Sequence, residues 1–158
     1  MNEAEFFANL PKKRMAAAAL ILSERGEVLI VKPTYRDDWL VPGGTVEAGE
    51  SPHAACQREV AEEIGLDRTL GRLLCVEYRP AEGATTEALQ FLFDGGTVSE
   101  AEARAIVLPP EELAEWRFAP LAEAMALLNP KLGRRIAFAL RAREHGETLY
   151  LEDGRPVP

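Results

Sequence analysis

The stretch Gly49–Leu66, GESPHAACQREVAEEIGL, holds four glutamates and one arginine among small and apolar residues. Ser51 can cap a helix, and Pro52 fits the first helical position, where a missing N–H breaks no bond. Gly65 suits the position just past a helix end, so the spacing predicts a helix from Pro52 to Ile64. Stepping about 100° per residue places Glu63 about 40° to one side of Glu59 and Glu62 about 60° to the other. The three carboxylates therefore share a face, and Val60, Ala61 and Ile64 lie opposite. Like charges four apart cost an isolated helix roughly 0.2–0.5 kcal/mol. One reading is a solvated acidic face; the other is a set of carboxylates gathered around a cation. Two neighbours favour the second. Arg58 can orient Glu59 or Glu50 through a bidentate hydrogen bond. Pro42-Gly43-Gly44, just upstream, can bring bare backbone close to an ion or its phosphate. Hard oxygen ligands suit Mg²⁺ or Mn²⁺ and not zinc.

Working outward, residues 2–10 place Phe6 and Leu10 four apart and predict a short docking helix ended by Pro11. Ala16–Leu22 and Val28–Val31 flank a turn containing Gly26 and predict a β-hairpin. Strands are expected at Leu73–Tyr78 and Glu87–Phe93, with Asp94-Gly95-Gly96 closing the second. A short strand at Ile106–Leu108, a helix at Pro110–Ala114 and a helix over Leu121–Leu128 come next. A last helix runs from Asn129-Pro130 to about Arg143, with Leu132, Ile136 and Leu140 on one face. Residues 148–158 read as a short strand and a tail. Helices and strands mix without strict alternation, which indicates an α+β fold or mixed-sheet sandwich.

The 158 residues fit one domain, residues 1–158, and 47% hydrophobic with 28% charged residues is an ordinary globular composition. A formal charge of −8 argues against a general nucleic-acid binder or an anionic-membrane binder. A small phosphorylated ligand remains compatible, because a bound divalent cation reverses the local sign. Cys56 and Cys75 are too few for a disulfide framework and are expected to be reduced, buried thiols in a cytoplasmic protein. Lys12-Lys13-Arg14 followed by MAAAALIL mimics the start of a secretory signal. The apolar run, however, stops at Ser23-Glu24-Arg25 with no cleavage site beyond and is too short to span a bilayer.

From Gly44, the order is five residues, Glu50, seven residues, then Arg58-Glu59-Val60-Ala61-Glu62-Glu63-Ile64-Gly65-Leu66. It resembles the complete Nudix box, G-x5-E-x7-R-E-U-x-E-E-x-G-U with U a bulky apolar residue. With average residue usage, a chance match in such a chain is rarer than about one in a million. The lead-ins LPKKRMAAAALIL and WLVPGG are similar to a bacterial, MutT-like Nudix subgroup. The resemblance implies an α/β/α sandwich and a magnesium-dependent (manganese possible) pyrophosphatase. Its substrate would be a nucleoside diphosphate linked to another moiety, in the nucleotide-sugar, ADP-ribose or nucleoside triphosphate class. It implies Glu59 and Glu63 as metal ligands, Glu62 as ligand or acting through water, the Gly43 carbonyl completing the coordination, and Glu50 and Arg58 orienting Glu59. A homodimer is compatible with the family. The alternative is a non-catalytic Nudix-fold sensor, although such modules often lack box carboxylates that are all present here.

The general base in this family is a box glutamate or one on a later loop. Glu62 and Glu63 are the first candidates, then Glu102 and Glu100; Glu82 and Glu87 flank another loop. His53 and His145 read as peripheral. For the remainder of the substrate, Gly44, Trp39, Arg36, Tyr78 and Arg79 are the candidates, with Tyr35 nearby, through stacking on a base or pairing with phosphate. Core packing is the competing reading for Trp39 and Tyr78. Phe91 and Phe93 share a strand face and are expected in the core. Pro80 stands near a proline found in ADP-ribose-cleaving members.

Overall fold

The computed structural model describes residues 1–158. The long apolar run becomes β1 (Arg14–Ser23), the spine of an eight-stranded mixed sheet. After a turn, β2 (Val28–Pro33) meets β1 only at Leu22 and Val28 and then diverges. The first half of β1 is thereby left open for β3 (Gly43–Thr45), which pairs antiparallel along Ala16, Ala17 and Ala18. On its other edge β1 runs parallel to β5 (Ala88–Val98), which is antiparallel to β4 (Leu73–Arg79). The strand β6 (Leu113–Ala119) closes one end of the sheet on β2, and β7 (Leu149–Glu152) with β8 (Arg155–Pro156) closes the other.

Side chains alternate across β1 and divide the core in two. Ala17, Ala19 and Ile21 pack beneath α2 (Pro52–Ile64), whose buried face is Ala55, Cys56, Val60 and Ile64. Leu20 and Leu22 pack on the other side against Ala124 of α4 (Leu121–Leu127) and Leu132, Ile136 and Ala139 of α5 (Pro130–His145). Helices thus cover both faces, giving the α+β sandwich. Cys56 and Cys75 are buried and unpaired, and burial pushes both thiols up to about 12. No helix is long and apolar enough to cross a membrane.

The structure departs from the sequence expectations in three places. Asp94-Gly95-Gly96 does not close β5. It forms a bulge within it, where Leu20 faces Asp94 but Leu22 faces Thr97. A side chain at Gly95 would lie 2.4 Å from Ile21. Ile106–Leu108 is not a strand, and Pro110–Glu112 is a turn leading into β6, not a helix. The open edge of β2 decides this: pairing with it satisfies a full row of backbone groups that a short helix would leave at its ends. Finally, α1 (Glu3–Asn9) forms with an Asn2–Glu5 capping box but docks on nothing. None of its residues is buried, and Phe6 and Phe7 are 48% and 58% exposed.

Candidate active site

The helix bearing the carboxylates starts and stops where its sequence dictates. The Ser51 side chain accepts from Ala54 N–H, Pro52 occupies the first turn, and Gly65 ends the helix with φ 67°. Packing of Val60 and Ile64 beneath the helix turns Glu59 and Glu63 toward β3, while Glu62 stays exposed beside Arg58. Glu63 reaches furthest in, and its Oε2 accepts the Gly43 N–H at 3.1 Å. Glu59 lies against Gly44 so closely that a Cβ there would sit 2.5 Å from its carboxylate. A Cβ at Gly43 would sit 2.5 Å from the Ala17 carbonyl oxygen. Both glycines are therefore required by close approach, between strand and helix on one side and strand and strand on the other.

Arg58 is the hub of the cluster. Its Nε and one terminal nitrogen donate to both Glu50 oxygens at 2.7 and 2.9 Å. Its other terminal nitrogen donates to Glu59 at 2.9 Å and Glu62 at 3.3 Å. That bidentate bond and the Glu47 N–H hold the Glu50 carboxyl down to about 2. The opposite happens at the inner end. Burial, together with the charges of Glu59, Glu112 and Glu62, pushes the Glu63 carboxyl up to about 8 despite the Gly43 hydrogen bond. Burial also raises Glu59, against the pull of Arg58.

Glu112 was not foreseen from the sequence. It sits in the turn ahead of β6, where its charge raises both Glu59 and Glu63. Reading residues 110–114 as a helix concealed it. The alternation of Trp116 and Phe118, packed edge-to-face at 5.8 Å, was the available sign of a strand preceded by a turn.

Beside Gly43 and Gly44 opens a cleft of about 820 Å³ between β1, the end of β4 and the start of α5. Arg36, Arg79 and Pro80 line it. Trp39 and Tyr78 do not. Trp39 is 5% exposed, packed in the core with the Arg117 guanidinium 4.6 Å from its ring centre. The register of β4 turns Tyr78 to Glu87, to which its hydroxyl donates at 2.8 Å. Neither side chain lines this cleft, whereas the sequence reading offers both as substrate contacts. Glu102 also stands apart. It caps its own short helix α3 (Glu100–Ala103) and pairs with Arg68 at 2.6 Å. That helix comes after Val98, which pairs with Ser23, at the opposite end of β1 from the residues that carry β3. Glu100 lies on the same short helix, and Glu87 is taken by Tyr78 and Lys13. His53 is exposed, edge-on to Phe93, and His145 is exposed at the end of α5.

Residues 12–140 match the model of the NUDIX domain. The chain belongs to the Nudix family. Curated relatives include diphosphoinositol polyphosphate phosphohydrolase 2 of Rattus norvegicus, 48% identical over 64 residues, covering 40% of this chain and 36% of that protein. Another is diphosphoinositol polyphosphate phosphohydrolase 3-alpha of Homo sapiens, 50% identical over 66 residues, covering 40% of each. The matched part is thus well under half the length of these relatives. Among solved structures, the MutT protein of Methanosarcina mazei Go1 superposes with a TM-score of 0.67 at 25% identity, covering 89% of this chain and all of that one. A UDP-X diphosphatase superposes at 0.69 with 19% identity, covering 96% and 76%, which shows the shared Nudix fold.

Do the carboxylates of this Nudix site suit a divalent cation? No three of them converge into a closed ligand set. Arg58 and the Gly43 N–H hold them in protein hydrogen bonds instead. The donor chemistry nevertheless fits. It offers carboxylate oxygens alone, and the upward displacement of Glu59 and Glu63 marks a place where added positive charge is favoured.

Proposed function

We propose that this chain is a magnesium-dependent hydrolase that cuts a phosphoanhydride bond in a small diphosphate derivative. The observation that carries the reading is the placement of Glu59 and Glu63 at Gly43-Gly44, on the lip of a cleft, with Glu62 tied to Glu59 through Arg58. Glu59, Glu63 and Glu62 would hold the metal, and Glu112 is a further carboxylate within reach of their charges. Once bound, the cation would neutralise charge on the diphosphate and lower the pKa of an attacking water.

The chain's own residues do the rest. Arg58, anchored on Glu50, fixes the rotamer of Glu59 and holds Glu62. Gly43 and Gly44 keep the backbone free of side chains, so that the diphosphate can approach the carboxylates. Glu63, once deprotonated on binding metal, remains the first candidate with Glu62 to accept a proton from water. The contact seen for Gly43 is its N–H on Glu63; its carbonyl remains a proposed ligand. Nucleoside diphosphate derivatives are suggested by the family resemblance, and inositol pyrophosphates by the names of the curated relatives.

The test is phosphate-product release from a panel spanning both groups, with Mg²⁺ or Mn²⁺, for wild type and Glu63→Gln side by side. Cleavage of one substrate with loss of about 1,000-fold or more in the variant supports the reading. Equal rates in the two proteins would overturn it.

A further inference from the structure

The cleft beside the glutamate helix has a composition at odds with the chain as a whole. The protein carries 18 lysines and arginines against 26 aspartates and glutamates. Yet six of the basic residues, Arg14, Arg36, Arg79, Lys131, Arg134 and Arg135, line this one cleft, with Glu82 as its sole acidic lining residue. No aromatic side chain lines it. Its volume, about 820 Å³, lies in the upper range of small-molecule sites.

Four of these six cations have a carboxylate within 4.0 Å, yet most of their donors stay unused. Lys131 pairs with Glu82. Arg14 is positioned by Thr86 alone, through donors at 2.7 and 2.6 Å. Arg36 has only Asp38, at 3.4 Å. Arg134 has no carboxylate partner. The remaining two are organised from below by Glu77, which is fully buried. Arg135 donates its Nε to Glu77 at 2.7 Å, so its two terminal nitrogens have no acceptor in the protein. Arg79 lies 3.8 Å from Glu77 and 3.9 Å from Asp153, and its buried Nε makes no hydrogen bond. A buried carboxylate thus holds one guanidinium in place and leaves both with donors to spare. The first turn of α5, Asn129 to Leu132, also borders the cleft and adds the positive end of a sixteen-residue helix.

Guanidinium groups with spare donors recognise phosphate by paired hydrogen bonds. A nucleobase, in contrast, calls for a stacking surface, which this cleft lacks. We propose that the cleft takes the non-scissile part of the substrate, and that this part is a small scaffold bearing several phosphates and no aromatic base. The inference rests on the hydrolase reading of the glutamate helix. It narrows the substrate to a polyphosphorylated diphosphate compound, with Glu77 as a positioning residue for Arg135 and Arg79.

Calorimetric titration of the full chain without metal tests the cleft apart from the chemistry, with myo-inositol hexakisphosphate and ADP-ribose as probes. The hexakisphosphate is expected to bind at least about tenfold tighter than ADP-ribose. The exposed-side variants Arg134→Ala and Arg14→Ala are each expected to weaken it by about three- to tenfold. Arg25→Ala, at the far hairpin, should leave it unchanged. ADP-ribose binding as tightly as the hexakisphosphate, or equal losses in Arg25→Ala and the cleft variants, would overturn the inference. Glu63→Gln separates the two readings. It should keep hexakisphosphate binding while losing turnover; a variant that binds and still turns over as wild type refutes the hydrolase reading and not the cleft.

Discussion

At Gly44 a single methyl group would stand 2.5 Å from the Glu59 carboxylate. Gly44→Ala should therefore displace Glu59 without unfolding the protein. The expected loss is about 100-fold in turnover, with the melting temperature nearly unchanged, readable from parallel kinetics and thermal melts. Glu63 makes a different prediction. Its carboxyl is raised from 4.5 to about 8 by burial and by Glu59, Glu112 and Glu62. The folded protein therefore disfavours its ionised form. Replacing it with glutamine removes that burden. In metal-free buffer at pH 8, Glu63→Gln should melt higher than wild type by about 2–4 °C, the shift that about 1 kcal/mol gives in a chain of this size. Adding Mg²⁺ should raise the melting temperature of wild type and leave Glu63→Gln nearly unmoved. A destabilised variant would mean that the carboxylate is not under the repulsion described.

The helices divide into those that the sheet needs and one that it does not. Ser51 accepts the Ala54 N–H at the start of α2. Ser51→Ala should cost about 1 kcal/mol by urea denaturation, the usual worth of such a cap. By contrast α1 buries none of its residues. Removing residues 1–9 should leave the denaturation midpoint within experimental error, whereas a lower midpoint would show that α1 packs on the rest in solution. Both helices were legible in the sequence, because capping residues, proline and glycine act locally. The elements misread, Ile106–Leu108 and the approach to β6, are those whose state depends on a distant partner. An isolated Pro-Pro-Glu-Glu-Leu segment reads as a helix start, and only the edge of β2 draws Leu113–Ala119 into a strand.

Across the whole molecule, acid and alkali act on opposite ends of one carboxylate cluster. Glu50 is lowered from 4.5 to about 2 by Arg58, so its contribution is present above pH 4.5 and disappears as pH falls toward 2. Glu63 is raised to about 8, so its contribution is present below pH 4.5 and is lost as pH rises toward 8. The metal-free protein should therefore melt highest near pH 5 and lose stability on both sides, with Mg²⁺ lifting the alkaline limb. Hydrolysis should rise in the same alkaline range, since the carboxylates must shed protons to accept metal. A rate that peaks near pH 5 and falls above it would contradict the mechanism.

The box from Gly44 to Leu66 determined the family, the helix and the shared face of Glu59, Glu62 and Glu63, because helical periodicity and capping are properties of neighbouring residues. Arg58's pairing with Glu50 was legible for the same reason: eight residues separate them across a single turn and helix start. Tertiary structure alone decided that the charge of Glu112 acts on Glu59 and Glu63, and that Glu102 stands apart. It also decided that Trp39 and Tyr78 are withdrawn from the cleft, while Arg14, Arg79, Arg134 and Arg135, from three separate elements, meet there. Sheet pairing brings such residues together across more than a hundred positions, and no local pattern encodes which edges will pair.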